Sequence, residues 1–212
     1  MPLIGLGLVL LLAFGVVVLL MQDDAPPRAS RPGDETTESD DVASTTTPSF
    51  RFTETTRELV RTSPKRIRRR HRQASIKAEA EAREVLTDLY TEGFLDPSNW
   101  GQGRYAEAFR GFARGARDEA ATRSELLTAG SRAGDRYEQI VPKSGRIATR
   151  ILLDREGAPE LLVSIVRFSA VASGTEVVTL RSTGQYFFER VGGSWKIVSF
   201  HVQRNDTSAE AA

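Results

Sequence analysis

Few residues in this chain are equipped to do chemistry. Its 212 residues include two histidines and no cysteine, which excludes disulfides, thiolate metal sites, a cysteine nucleophile and a lipidated cysteine anchor. His201 lies in an apolar stretch whose alternate positions are Trp195, Ile197, Ser199, His201 and Gln203. On a regular strand that parity sets the imidazole on the face of the tryptophan, where it is the best single candidate for a general acid–base. Asp88, Tyr90 and Asp154 are its conceivable partners. Asp88 falls off the apolar stripe of its segment, Tyr90 reads as core, and Asp154 reads as the start of a turn. A partly exposed structural histidine is therefore the simpler reading, and no catalytic pair is assigned. The second histidine, His71, lies inside a basic run. No clustered His, Asp or Glu has metal-ligand spacing, and no Gly-x-Ser-x-Gly elbow supports a serine nucleophile. Gly101, Gly103, Gly111 and Gly115 do not follow a strand at phosphate-loop spacing. No metal and no cofactor is implied.

His201 belongs to a ribbon, residues 159–204, around which the chain is organised. Leu161, Leu162, Val163, Ile165, Val166 and Phe168 form one strand-like run; Val177, Val178, Leu180, Tyr186, Phe187 and Phe188 form the next. Ser173-Gly174-Thr175 and Gly192-Gly193 separate the runs, and glycine's tolerance of positive φ suits tight antiparallel hairpins. Gly184 predicts a bulge. Residues 146–154 add an earlier strand, and residues 137–141 a short one before Pro142, giving four or five antiparallel strands in meander order. Neither face of the last strand is cleanly polar, since Lys196, Val198, Phe200, Val202 and Arg204 oppose the face of Trp195. A sheet with one wet face should alternate clearly, so a second covering is expected, by another segment of the chain or by a partner on the sheet, a homodimer or an envelope protein.

Helices are expected upstream. Ser63-Pro64 reads as a helix start, with the helix running to Glu92, stopping at Gly93 and closed by Phe94 packing back on Leu89. Ala78, Ala82, Val85, Leu86, Leu89 and Tyr90 give it one apolar stripe. Asp96 or Ser98 caps a second helix with Tyr105, Ala108, Phe109 and Phe112 on its inner face, and residues 113–129 form a third. The amino end is different in kind. Residues 2–21 contain no charged or strongly polar residue and cover about 30 Å as a helix, the thickness of a bilayer core. Without a basic leader or a small-x-small cleavage site they read as an uncleaved anchor. Residues 22–49 follow with two arginines against seven carboxylates, a net of −5. Such a segment buries too little surface to order, so residues 22–62 are expected to be a disordered tether in which Phe50 and Phe52 alone invite docking. Arg28 and Arg31 lean cytoplasmic by charge; the stalk-like Thr/Ser/Pro composition leans outward, and an extracytoplasmic domain is the expectation.

Arg61, Lys65, Arg66, Arg68, Arg69, Arg70 and Arg72 form a run of seven basic residues with no acid among them. Residues 63–77 are read as a basic helical extension projecting from the domain. The run suits a solvated arm or anionic lipid headgroups, each cation near such a surface being worth about 1 kcal/mol. Nucleic acid is disfavoured, because no base-stacking aromatics are interleaved.

Helix, short helix, helix, then a curved meander closing on Gly192-Gly193-Ser194-Trp195-Lys196-Ile197 resembles the NTF2-like superfamily, which includes SnoaL-like cyclases and ketosteroid isomerases. The resemblance covers residues 74–206. Its preamble is similar to that of small actinobacterial Mce-associated membrane proteins. The expected organisation is an α+β chain: anchor 1–21, tether 22–62, extension 63–77, an NTF2-like cone 78–206 of about three helices on a curved antiparallel sheet, and a disordered tail 207–212. The resemblance implies a conical pocket lined by Trp195, Ile197, Tyr186, Phe188, Phe109 and Phe112. One fold hosts unrelated activities, so two readings stand. One is a membrane-tethered, non-catalytic accessory domain of an envelope complex. The other is a small-molecule pocket, either a binding protein or a lyase/isomerase-like enzyme using His201.

Overall fold

A computed structural model describes residues 49–61, 67–102 and 105–208. The anchor, tether residues 22–48, the Ser63-Pro64 helix start, Lys65, Arg66 and tail residues 209–212 lie outside the described residues. What is described is an α+β domain: six strands in one mixed sheet and, among the described residues, four α-helices.

The tether expectation fails where the chain is described. Phe50 and Phe52 are buried, and Glu54–Arg61 forms strand β1. It runs parallel to β2 (Tyr137–Leu153), in register from Glu54↔Arg146 to Arg61↔Leu153. The sheet is therefore not purely antiparallel. Two ion pairs hold β1 from opposite sides: Arg57 to Glu79 on the helical side at 2.9 Å, and Glu58 to Arg150 on the open side at 2.7 Å.

Helix α1 spans Arg69–Tyr90. Arg68 is extended, without a side-chain cap, so the helix starts later than Ser63-Pro64 predicts. Four arginines at the positive end of a helix dipole are unfavourable, and burial decides the start instead. His71 and Ser75 are buried together with Ala78, Glu79, Ala82, Leu86, Leu89 and Tyr90, one face at three- and four-residue spacing. The first turns thus pack on the domain rather than projecting from it. At its far end α1 passes into a π-helical turn, Thr91–Leu95, closed by Asp96 N–H to the Thr91 carbonyl at 2.9 Å. Phe94 stacks on Tyr90 at 5.5 Å, where the sequence predicted a glycine stop with Phe94 on Leu89.

The expected second helix is absent among the described residues. A 3-10 turn, Pro97–Gln102, with the Ser98 N–H on Asp96, leads into successive turns. Tyr105, Ala108, Phe109 and Phe112 are still buried. The sheet edge claims the segment: Ile197 donates to the Gly111 carbonyl at 3.0 Å and accepts from Ala113 N–H at 2.8 Å. Helices α2 (Arg114–Thr122) and α3 (Ser124–Leu127) replace the single predicted helix, and a third short one, α4 (Ala133–Arg136), precedes the sheet.

Strands β3 (Pro159–Gly174), β4 (Val178–Val191) and β5 (Ser194–Arg204) follow β2 as an antiparallel meander; β6 (Thr207–Ser208) pairs antiparallel with the start of β4. The two predicted strands of β2 are one, carrying a register shift between Pro142 and Ser144 where proline cannot donate to the ladder. Gly192 and Gly193 both have positive φ, 62° and 86°, as the hairpin reading requires. Gly174 does not; it is needed because a Cβ there would strike the Arg136 carbonyl oxygen.

Gly184 keeps regular register with Val166 and Val202, so it is not the bulge. A Cβ on it would lie 2.6 Å from the Tyr186 ring, which covers it. The bulge is on β5. Phe187 pairs with Ser199 and Phe188 with Ile197, leaving Val198 as the extra residue. One inserted residue reverses the faces of everything beyond it. Trp195 and Ile197 point inward before the bulge, Phe200 and Val202 after it. This accounts for the mixed faces of the last strand without any second covering of the sheet.

Candidate functional site

The concave side of the sheet is filled with aromatic rings. Tyr90, Phe94, Phe112, Tyr186 and Phe188 are among the largest fully buried side chains. Phe168 lies 4.9 Å from Tyr90 and 5.2 Å from Phe94, and Phe52 lies 5.9 Å from Tyr90. Phe109, Phe112 and Phe200 follow in edge-on contacts of 5.7 and 5.6 Å. The six residues expected to line a pocket, Trp195, Ile197, Tyr186, Phe188, Phe109 and Phe112, are all buried.

Beside Glu79, which pairs with Arg57, the buried polar groups of that interior include a cluster of hydroxyls. The C-terminal end of α1 delivers Tyr90, and β4 delivers Ser182 and Tyr186 on its inward positions. The Tyr90 hydroxyl is 3.1 Å from Ser182 Oγ and 3.1 Å from the Tyr186 hydroxyl. Burial pushes both phenols above the ordinary tyrosine range; for Tyr186 the neighbouring Tyr90 adds to the rise, while for Tyr90 its hydrogen bonds with Ser182 and Tyr186 partly offset it. Both phenols stay protonated and neutral, and the three hydroxyls satisfy one another. A second such pair, Thr149 Oγ1 to Ser164 Oγ at 3.0 Å, stitches β2 to β3. These groups tie the core together.

The remaining candidates are dispersed. His201 is exposed opposite Gln185, on the face away from Trp195. The parity that made it a candidate is broken by the bulge at Val198. Asp88 is partly exposed and accepts from Arg110 at 2.9 Å. Asp154 holds the β2–β3 turn, its Oδ1 accepting from Ala158 N–H at 2.8 Å. Tyr90, Asp88 and His201 are not brought to one place.

The described residues form surface clefts, three of which bear on the candidate residues. One of about 320 Å³ lies between α1 and the β4–β5 hairpin and includes Glu84, Asp88, Arg110, Trp195 and Lys196. Another, of about 500 Å³, is edged by Glu125, Arg132, Arg136, Arg204 and Asp206. Arg204 there is spent on structure: Nη1 donates to the Glu125 and Thr128 carbonyls, Nη2 to Ala129, and Nε to Asp206. The third, about 640 Å³, is made by Ile67, Arg68, Arg69 and Arg72 at the start of α1. Arg68, Arg69, Arg70 and Arg72 are exposed, with Arg70 Nε donating to His71 Nε2 at 3.0 Å. Arg61 is exposed on β1, not on the helix.

Sequence reasoning missed Ser182, the Arg204 clamp and the Arg57–Glu79 pair. Glu79 left a signal, an acid on the apolar stripe of α1. Among the described residues no group of three His, Asp or Glu could hold a metal ion, and no helix is long and apolar enough to cross a membrane.

Fold and site together define an α+β domain whose sheet closes over a packed, hydroxyl-linked aromatic interior. No protein-family model matches the chain, and no curated protein or solved structure matches it.

Proposed function

We propose that this chain is a membrane-anchored, non-catalytic interaction domain of NTF2-like type. Residues 2–21 are its span, and the folded part stands outside the membrane as part of an envelope assembly. The order of elements, helical segments followed by a bent meander that closes on Gly192-Gly193 and Trp195-x-Ile197, supports the fold assignment. One observation carries the functional reading: the space where a relative of this fold would hold a ligand is occupied by Tyr90, Tyr186, Phe94, Phe112 and Phe188. The enzyme form of the small-molecule alternative relied on His201, and the outward position of that residue removes that support. The exposed arginines Arg61, Arg68, Arg69, Arg70 and Arg72, with Lys65 and Arg66, fit anionic headgroups near the anchor.

The test uses the full chain in detergent micelles and in membranes. Alkaline washing should leave it in the membrane pellet, and deletion of residues 2–21 should release it. Its melting temperature should not move with aliphatic or aromatic small-molecule probes. A rise in melting temperature that Tyr186→Phe abolishes would overturn the reading in favour of a ligand pocket. Binding to anionic but not neutral vesicles, lost with Arg68, Arg69, Arg70 and Arg72 changed to Gln, is the expected behaviour of the basic run.

A further inference from the structure

Among the described residues one buried side-chain polar atom is left without a hydrogen bond, the hydroxyl of Tyr137. Tyr137 opens β2 and is 4 % exposed. Native structures rarely leave such a group unpaired, because a buried donor without an acceptor costs more than a made bond contributes. Burial pushes its phenol above the ordinary range; the charges of Arg136 and Arg204 pull against that rise, and Asp206 and Glu176 add to it. The hydroxyl therefore keeps its proton and is a donor in want of an acceptor. The charges that act on it also locate it, since Arg136, Arg204 and Asp206 all edge the cleft of about 500 Å³. The Arg136 guanidinium lies over the Tyr137 ring, 5.1 Å from its centre.

The walls of this cleft are fixed by the chain itself. Gly130 has a φ of 102°, and a Cβ there would lie 2.7 Å from Glu125 Oε2. Its carbonyl accepts from the Tyr105 hydroxyl at 2.7 Å, and Glu125 Oε1 accepts from Ser131 N–H at 2.9 Å. Arg204 clamps the carbonyls of Glu125, Thr128 and Ala129. The carboxylates are engaged as well: Asp206 takes Arg204 at 2.8 Å, and Glu176 Oε1 takes both Nε and Nη2 of Arg136. What is left over is all of one kind. Arg132, just before α4, is exposed and holds no ion pair among the described residues. Nη1 of Arg136 is not used by Glu176, and the Tyr137 O–H has no acceptor. Spare donors from three side chains thus face carboxylates that are already bound.

We propose that this cleft is a binding site for a small-molecule phosphate monoester, held by Arg132, Arg136 and the hydroxyl of Tyr137. A phosphate offers three strong acceptor oxygens, one for each donor group, and a guanidinium meets it through two parallel bonds. A carboxylate, with two oxygens in one plane, leaves a donor unmet. The Arg136 side chain is 41 % exposed, so it can turn from Glu176 toward the ligand without disturbing the core. That turn uncovers the phenol over which it lies. The site is separate from the aromatic interior and from the basic run, because neither Tyr186 nor Arg68, Arg69 and Arg72 edge it.

The test titrates the full chain in detergent micelles with inorganic phosphate and with methyl phosphate at constant ionic strength. The amide resonances of Gly130, Ser131 and Arg132 should shift and saturate. Arg132→Gln and Tyr137→Phe should each weaken binding by about tenfold, the loss expected for one bond to a charged group. Tyr186→Phe, and the change of Arg68, Arg69, Arg70 and Arg72 to Gln, should leave it alone. Without ligand, Tyr137→Phe should melt no lower than the wild type, because it removes an unpaired group and keeps the ring. Phosphate affinity unchanged in both Arg132→Gln and Tyr137→Phe overturns the proposal. So does a lower melting temperature of Tyr137→Phe with phosphate affinity intact, which makes the hydroxyl a structural group bonded to water. Shifts confined to residues 68–72 assign phosphate to the basic run, and acetate binding as tightly as phosphate assigns the cleft to carboxylates; either result overturns the proposal. Binding to phosphatidic acid vesicles that Arg132→Gln abolishes, with no methyl phosphate shift at Ser131, assigns the cleft to a lipid headgroup and overturns it equally.

Discussion

The two faces of the sheet are built from alternate residues of the same strands, and Phe187 and Phe188 show how far they diverge. Phe188 points inward, is fully buried and pairs with Ile197. Phe187 points outward beside Ser199 and stays partly exposed. The inner face is aromatic, with the Tyr90–Ser182–Tyr186 and Thr149–Ser164 hydroxyls bonded to one another and Glu79 paired with Arg57, whereas the outer face carries arginines, amides, Glu58 and the histidine. Composition does not separate the two, because both draw on the same β-branched and aromatic runs. What separates them is the helix: α1 lays its stripe from Ala78 to Tyr90 on one side only, and the pleat does the rest.

The sharpest way to break this contrast is to truncate both phenylalanines. Phe188→Ala should destabilise the domain by about 3–5 kcal/mol, as should Trp195→Ala, whereas Phe187→Ala should cost about 1 kcal/mol in proportion to its smaller buried area. Urea midpoints of the three variants measure this, and equal losses at 187 and 188 would mean that the outer face is covered. Next in size is Gly184→Ala, expected to cost about 1–3 kcal/mol by overpacking, since the added methyl meets the Tyr186 ring at 2.6 Å. Pairing Gly184→Ala with Tyr186→Leu should recover part of that loss.

Tyr186→Phe tests the hydroxyl network at about 1 kcal/mol, and it carries a pH signature. The folded-state pKa values of Tyr90 and Tyr186 are raised, chiefly by burial, while the unfolded chain titrates near the ordinary value of about 10. The native state then holds protons that the unfolded state gives up, so this contribution is complete below about pH 10 and is lost as pH rises above it. Chemical denaturation between pH 8 and 11 should show stability falling in the wild type and falling less in Tyr186→Phe. The smallest effect belongs to His201→Ala, within about 0.5 kcal/mol as for an exposed residue away from the core. A loss rivalling that of Trp195→Ala would return His201 to the inner face.

Much of the fold is legible in the residues themselves. The Gly192-Gly193 hairpin, the Asp154 turn and the apolar stripe of α1 follow from local rules, because each needs only its own few residues to be recognised. Strand β1 was hidden by its composition. Glu54–Arg61 offers no clean apolar face, and its place depends on β2, which is distant in sequence, and on the partners of Arg57 and Glu58. The Tyr90–Ser182–Tyr186 cluster was half visible: both tyrosines read as core, but nothing local says that their hydroxyls meet.

The sequence by itself determined the strand-forming runs, the turns between them and the stock of reactive groups, because propensity, glycine chemistry and residue type are local properties. It could not determine which face His201 joins. That was settled by one unpaired residue, Val198, whose status exists only in the register between β4 and β5. Register is a property of two strands packed together. Only the tertiary structure could therefore decide that the histidine points outward and that the tryptophan it follows is buried in the core.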